Sequence, residues 1–234
     1  MRHLSLAVAV VIAMATGAAA QNPGAAAPGS GDAGDAGAGG IENEADCASP
    51  DLAARISACS AVIEAPDTPD ASRAQAYFQR GYAFGVLGDH QREIEDYGDT
   101  LRIVPRYAPA LNNRASTLQH LGKAAQGLPD IEEALRIAPD EPIYNSTRAE
   151  IAQALGDIEG AMRSHETAME LGGADVIRIY QCSLRQARLY QGPLDGIANP
   201  EVMTALRQCV DRGAGCAPLP DYMVAECKAP PPTA

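Results

Sequence analysis

The chain has 234 residues, with 30 acidic against 18 basic side chains and a formal net charge of −12. That acidity argues against nucleic acid and anionic membrane surfaces as partners, since both need a cationic footprint. Lysine is confined to Lys123 and Lys228 while Arg, Ala, Gly and Pro abound, a usage that favours a bacterial source.

Residues 1–20 carry Arg2, an apolar run from Leu4 to Ala15, and Ala18-Ala19-Ala20 before Gln21. This order predicts a signal peptide cut after Ala20, and hence a periplasmic or secreted protein. The run is shorter than the roughly 20 residues a membrane span needs. No later stretch is apolar enough to cross a bilayer, and no Cys near the cut offers a lipid attachment point. Loss of Arg2 leaves 17 basic against 30 acidic residues, a mature net charge of −13. Residues 21–45 are dominated by Gly, Ala, Pro and Asp between Asn22 and Gly40. Such a composition cannot bury enough apolar surface to offset its ordering entropy, so a disordered linker is expected there.

Folded structure is expected from Asp46. Six cysteines follow, Cys47, Cys59, Cys182, Cys209, Cys216 and Cys227, and an even count in an exported chain predicts disulfides. Many connectivities are open; the expected set joins Cys47 to Cys59, Cys182 to Cys209, and Cys216 to Cys227. Zinc is disfavoured because there is no Cys-x-x-Cys pair and no His beside any Cys. Within 46–70, Leu52, Ile56, Cys59 and Ile63 form a helical stripe, which Pro66 and Pro69 then end.

A step of 34 residues organises 71–173. Leu87-Gly88, Leu121-Gly122 and Leu155-Gly156 recur at it, as do Pro105, Pro139 and Gly173. A period of this length with small residues at fixed phases predicts stacked helical hairpins, so the fold class is all-α, a short α-solenoid. Asp70 is the expected N-cap of the first regular helix. Pro129 falls where the middle hairpin's second helix should already be running, which predicts a late start or a kink. Arg80, Arg114 and Arg148 share one phase; Asp96 and Asp130 share another, with Ser164 third. Pairing of Arg80 with Asp96 and Arg114 with Asp130 is expected between the two helices of each hairpin, with an anion-binding Arg ladder as the rival.

Tyr77-Gly81-Phe84 and Leu111-Ala115-Leu118, followed by the turn glycines and the period-ending prolines, resemble tetratricopeptide repeats. The resemblance covers about three repeats, preceded by a degenerate first one over 46–70. It implies a peptide-binding groove lined by first-helix positions: Phe78, Tyr82, Asn112, Asn113, Ser116, Gln119, His120, Ser146, Glu150 and Gln153. Aromatic rings there supply contact area, and amides bond an extended backbone. The sub-class that clamps a C-terminal carboxylate is not matched, since only Asn113 fits its pattern. Asn145, Ala152 and His165 replace larger apolar residues, so the third repeat is expected to be the loosest.

Over 174–211, Tyr180-Gln181-Cys182-Ser183-Leu184, then Tyr190-Gln191-Gly192-Pro193-Leu194-Asp195-Gly196, then Pro200, resemble the leading half of the helical peptidoglycan-binding-like domain. That resemblance implies a small two-helix module, expected to cap the repeats; glycan binding, with Tyr190 and Asp195 as possible contacts, is the alternative. Residues 212–234 form a Cys- and Pro-containing tail, expected to be extended. No motif sets a nucleophile beside a base, so no enzyme activity, cofactor or metal is expected. The leading functional expectation is a periplasmic adaptor joining proteins, with cell-envelope enzymes as candidate partners. The alternative is a cell-wall-associated module with the repeats as spacer.

Overall fold

A computed structural model describes residues 47–213 and Cys216; the expected signal peptide, the linker, Cys227 and nearly all of the tail lie outside the described residues. Among the described residues there are eight helices and no strand. They are α1 Leu52–Glu64, α2 Asp70–Val86, α3 His90–Ile103, α4 Ala108–His120, α5 Ala124–Ile137, α6 Pro142–Ala154, α7 Ile158–Gln186 and α8 Pro200–Asp211. Each helix packs on its sequence neighbours, and α4 also touches α6, which is the arrangement of a solenoid of hairpins.

Local chemistry sets the ends of these helices. Gly88, Gly122 and Gly156 take φ of +79°, +72° and +82° at the turn inside each hairpin, a conformation that costs glycine least. Asp89 and Asp157 then cap α3 and α7 by accepting from Arg92 N and Gly160 N, whereas Lys123 at the same phase gives α5 no side-chain cap. Asp70 is the first helical residue of α2 and not its cap; Pro69 holds the cap position. The expected late start does not occur: α5 begins at Ala124 and carries Pro129 inside it.

Small residues let the paired helices close. A Cβ on Gly81 would stand 3.1 Å from Asp96 Cβ, and one on Gly127 would stand 2.8 Å from the Ala115 carbonyl oxygen. Ala115, Ala149 and Ala161 are fully buried at matching seams. One apolar core runs through Phe78, Tyr97, Leu111, Ile131, Tyr144 and Ile151. A second gathers Met162, Met169, Tyr180, Leu184, Tyr190, Val202, Leu206 and Val210.

The period does not stop at Gly173. That residue breaks α7 with a non-helical φ of +58° and ψ of −151°, and a second helical stretch then runs on to Gln186. Ser146 Oγ and Tyr180 Oη, 34 residues apart, meet at 3.0 Å, so Tyr180 occupies the phase of Phe78, Asn112 and Ser146 in a fourth first helix. A long connection through Gly192-Pro193 and Asp195-Gly196 then delays α8, the second helix of this fourth hairpin.

Cys47 and Cys59 are joined, with Cα atoms 4.7 Å apart, and hold the segment before α1 against Val62 and Ala76. The expected Cys182–Cys209 bond is not formed. Beyond α8 the chain turns at Gly213, φ +67°, and brings Cys216 to Cys209 with Cα atoms 5.8 Å apart. That bond also removes the expected pairing of Cys216 with Cys227. Cys182 is itself disulfide-bonded.

Candidate functional site

The first helices α2, α4 and α6 present two kinds of position. Phe78, Asn112 and Ser146 are buried, at 3%, 5% and 4% exposure, because their phase points at the next hairpin. Phe78 packs edge-on against the Tyr107 ring at 5.2 Å and against Tyr97 at 5.7 Å. Phe78 is therefore a seam residue and does not line an open groove. Ser146 is engaged by Tyr180. Gln153 is also taken: its Nε2 donates to the Val210 carbonyl at 2.9 Å and lies 3.8 Å from Cys216 Sγ, tying α6 to the fourth hairpin.

The remaining predicted positions stay accessible in part. Tyr82 is 43% exposed, with the Arg55 guanidinium of α1 5.5 Å from its ring centroid. On α4, Asn113, Ser116 and Gln119 are half-buried and His120 is exposed. Asn112 Nδ2 donates to Asn113 Oδ1, and Asn113 Nδ2 donates to Tyr97 Oη. Asn112 Oδ1 and Gln119 Oε1 are buried and accept nothing from the described residues. Glu150 on α6 is half-buried, and its carboxylate has no hydrogen bond or ion pair among the described residues. Burial pushes that carboxyl up to about 7.

The arginine phase sits between the helices of each hairpin. Arg80 donates from Nε and Nη2 to the Asp96 carboxylate, both at 2.9 Å, and from Nη1 to Ser60 Oγ. That carboxylate raises the Arg80 guanidinium further above its ordinary range. Arg114 grips Asp130 in the same way at 2.7 and 2.8 Å. Among the described residues Arg148 finds only the Ser164 hydroxyl, at 2.9 Å.

Reasoning from sequence missed a buried polar cluster where the third and fourth hairpins meet. His165 Nδ1 lies 2.8 Å from Tyr180 Oη, the rings stack edge to face, and Ser146 Oγ completes the chain. Burial lowers the His165 imidazole to about 4 and raises the Tyr180 phenol. The signal that could have located it is the shared phase of Ser146 and Tyr180. All three side chains are sealed from solvent, so the His–Tyr contact faces no substrate.

The two candidate glycan contacts are likewise used internally. Tyr190 is fully buried and donates to the Pro193 carbonyl at 2.7 Å. Asp195 accepts from Gln181 Nε2 at 2.7 Å and from Ile197 N, which fixes the connection before α8. Among the described residues, no three His, Cys, Asp or Glu side chains converge to hold a metal ion, and no helix is long and apolar enough to cross a membrane.

Residues 108–141, which span α4, α5 and the approach to α6, match the Tetratricopeptide repeat family. No curated protein sequence matches the chain. Among solved structures it is similar to MamA 41-end from Desulfovibrio magneticus RS-1, with a TM-score of 0.53 and 15% identity, over 63% of this chain and 81% of that one. It is also similar to the MamA RS-1 ArsTM double mutant, with a TM-score of 0.50 and 17% identity, over 69% and 84% of the two chains. At these identities the likeness is one of fold. The chain thus carries a tetratricopeptide repeat at 108–141, set within an all-helical, tetratricopeptide-like solenoid whose hairpins share its 34-residue phase.

Proposed function

We propose that the protein is an exported protein-binding adaptor that holds an extended segment of its partner across the first-helix face of α2, α4 and α6. The observation that carries this reading is Gln119 on α4, a part-exposed residue whose amide oxygen has no partner among the described residues. A buried acceptor left without a donor costs about 1–3 kcal/mol, and a backbone N–H group of an extended peptide would satisfy it. Tyr82, exposed beside Arg55, supplies a flat apolar anchor at the N-terminal end of the same face. Periplasmic location and a cell-envelope partner belong to this proposal and rest on the order of residues 1–20. The fourth hairpin serves as the cap of the solenoid, because Gln153, Ser146 and Arg207 tie it to the third.

The test is capture of partners by crosslinking in periplasm with the intact protein, alongside Tyr82→Ala and Gln119→Ala forms. The expected result is a defined partner recovered by the wild type and lost with either substitution. Recovery that is indifferent to both substitutions would remove this face from the function. Sedimentation with purified sacculi is expected to leave the protein in the supernatant; pelleting would favour the cell-wall reading instead.

A further inference from the structure

The arginine phase continues into the fourth hairpin, where it holds a cysteine. Arg80, Arg114, Arg148 and Cys182 follow one another at the same 34-residue step, and Cys182 is buried at 8% exposure. In the first two regular hairpins that phase is tied to the second helix by Asp96 and Asp130, and in the third by Ser164. The matching residue of the fourth hairpin is Ala198, exposed in the connection before α8, whose methyl group cannot pair. The expected bridge to Cys209 on α8 is also excluded, because Cys209 is bonded to Cys216. Yet Cys182 is disulfide-bonded, Cys47 and Cys59 hold each other, and none of the described cysteines is a free thiol. Of the six cysteines in the sequence, only Cys227 is then left to take it.

We infer that Cys182 is cross-linked to Cys227, so that the tail supplies covalently the tie that Asp96 and Asp130 supply by ion pairs in the first two regular hairpins. Together with Cys209–Cys216, the bond fastens both ends of residues 217–226 to the fourth hairpin, one to α8 and the other to α7. Closing the chain between residues 182 and 227 removes conformations from the unfolded state and so holds the terminal hairpin of the array, the one most in need of a cap. Formation of the bond takes two protons and two electrons from the two thiols; the electrons pass to the disulfide of a thiol oxidase, which leaves as a dithiol. For that oxidant the inference rests on the exported location proposed above.

Disulfide mapping of the full protein, recovered after export and alkylated without reduction, tests it. Trypsin with a glutamate-specific protease cuts after Arg178, Arg185, Glu226 and Lys228, which separates Cys216 from Cys227. The expected product joins residues 179–185 to residues 227–228. Alkylation at Cys182, or its union with any other cysteine peptide, would overturn the inference while leaving export in place if Cys47–Cys59 is intact. Six alkylated cysteines would count against both. A reduction-sensitive dimer joined at Cys182 would overturn it by placing the bond between two copies. Thermal unfolding gives a second readout: Cys182→Ser and Cys227→Ser are each expected to lower the midpoint by about 5–10 °C, and the double variant by no more than either. A loss confined to Cys182→Ser, or losses that add, would overturn the pairing.

Discussion

The first two regular hairpins and the last two solve the same packing problem with different chemistry. In α2–α3 and α4–α5, a bidentate Arg–Asp pair bridges the helices and the central position of the second helix is Tyr97 or Ile131. In α6–α7 the aspartate has become Ser164 and the apolar residue has become His165. The third hairpin joins the fourth through the Ser146–Tyr180–His165 cluster. The difference shows that a repeat phase conserves geometry and not interaction type. Where the array ends, directional polar contacts fix the position of the cap.

The comparison breaks most sharply at the arginine phase. Removing a partner from a buried ion pair leaves an uncompensated charge, so Arg80→Ala is expected to cost about 3 kcal/mol, since the Asp96 side chain is 6% exposed. Arg148→Ala, which removes a contact to a neutral hydroxyl, is expected to cost only about 1 kcal/mol. Urea denaturation of the two variants measures both. Equal losses would mean that the phase matters for packing of the arginine stem and not for charge.

A second effect separates the halves by pH. The folded Glu150 carboxyl sits at about 7 against an ordinary 4.5, so between those values the folded state holds the extra proton and stability falls as pH rises. The folded His165 sits at about 4 against 6.5, so between those values the unfolded state holds more protons and stability rises with pH. The two slopes oppose each other through most of the mildly acidic range, and the wild type is expected to be nearly flat there. Glu150→Gln unmasks the His165 slope: stability should climb by about 2 kcal/mol from roughly pH 4 to 6.5 and exceed wild type above neutrality. Parallel wild-type and variant curves would show that these groups do not titrate as their burial implies.

How much of this was legible in the chain follows from what each feature depends on. Turn glycines and the small residues at Gly81 and Ala115 act locally, within one hairpin, so their spacing carried the fold. The burial of Phe78 depends on Tyr107, which belongs to the next hairpin, and its phase looked equivalent to the exposed Tyr82. Gln153 reads as open in the sequence because the carbonyl that takes it lies 57 residues further on. The fourth hairpin was hidden because Gly173 replaces the proline that ends earlier periods, and because the long connection before α8 shifts the following helix out of step. The pairing of Cys209 with Cys216 depends on a reversal at Gly213 that spacing alone does not reveal.

The smallest effect tests whether polar contacts at the cap are cooperative. Tyr180→Phe keeps the ring, and hence the edge-to-face contact with His165, but removes the hydroxyl that both Ser146 Oγ and His165 Nδ1 share. His165 Nδ1 then lacks a partner, in a pocket where His165 Nε2 already has none among the described residues, while Ser146 Oγ keeps its bond to the Pro142 carbonyl. The expected loss is about 1–2 kcal/mol. Tyr97→Phe removes one 3.3 Å hydrogen bond from a half-buried Asn113 and is expected to cost under about 1 kcal/mol. A Ser146→Ala/Tyr180→Phe double-mutant cycle then reads the coupling directly. If the hydroxyls act as a unit, the double variant loses less than the sum of the singles. Additive losses would make the cap a set of independent bonds, and the directional role assigned to the cluster would fail.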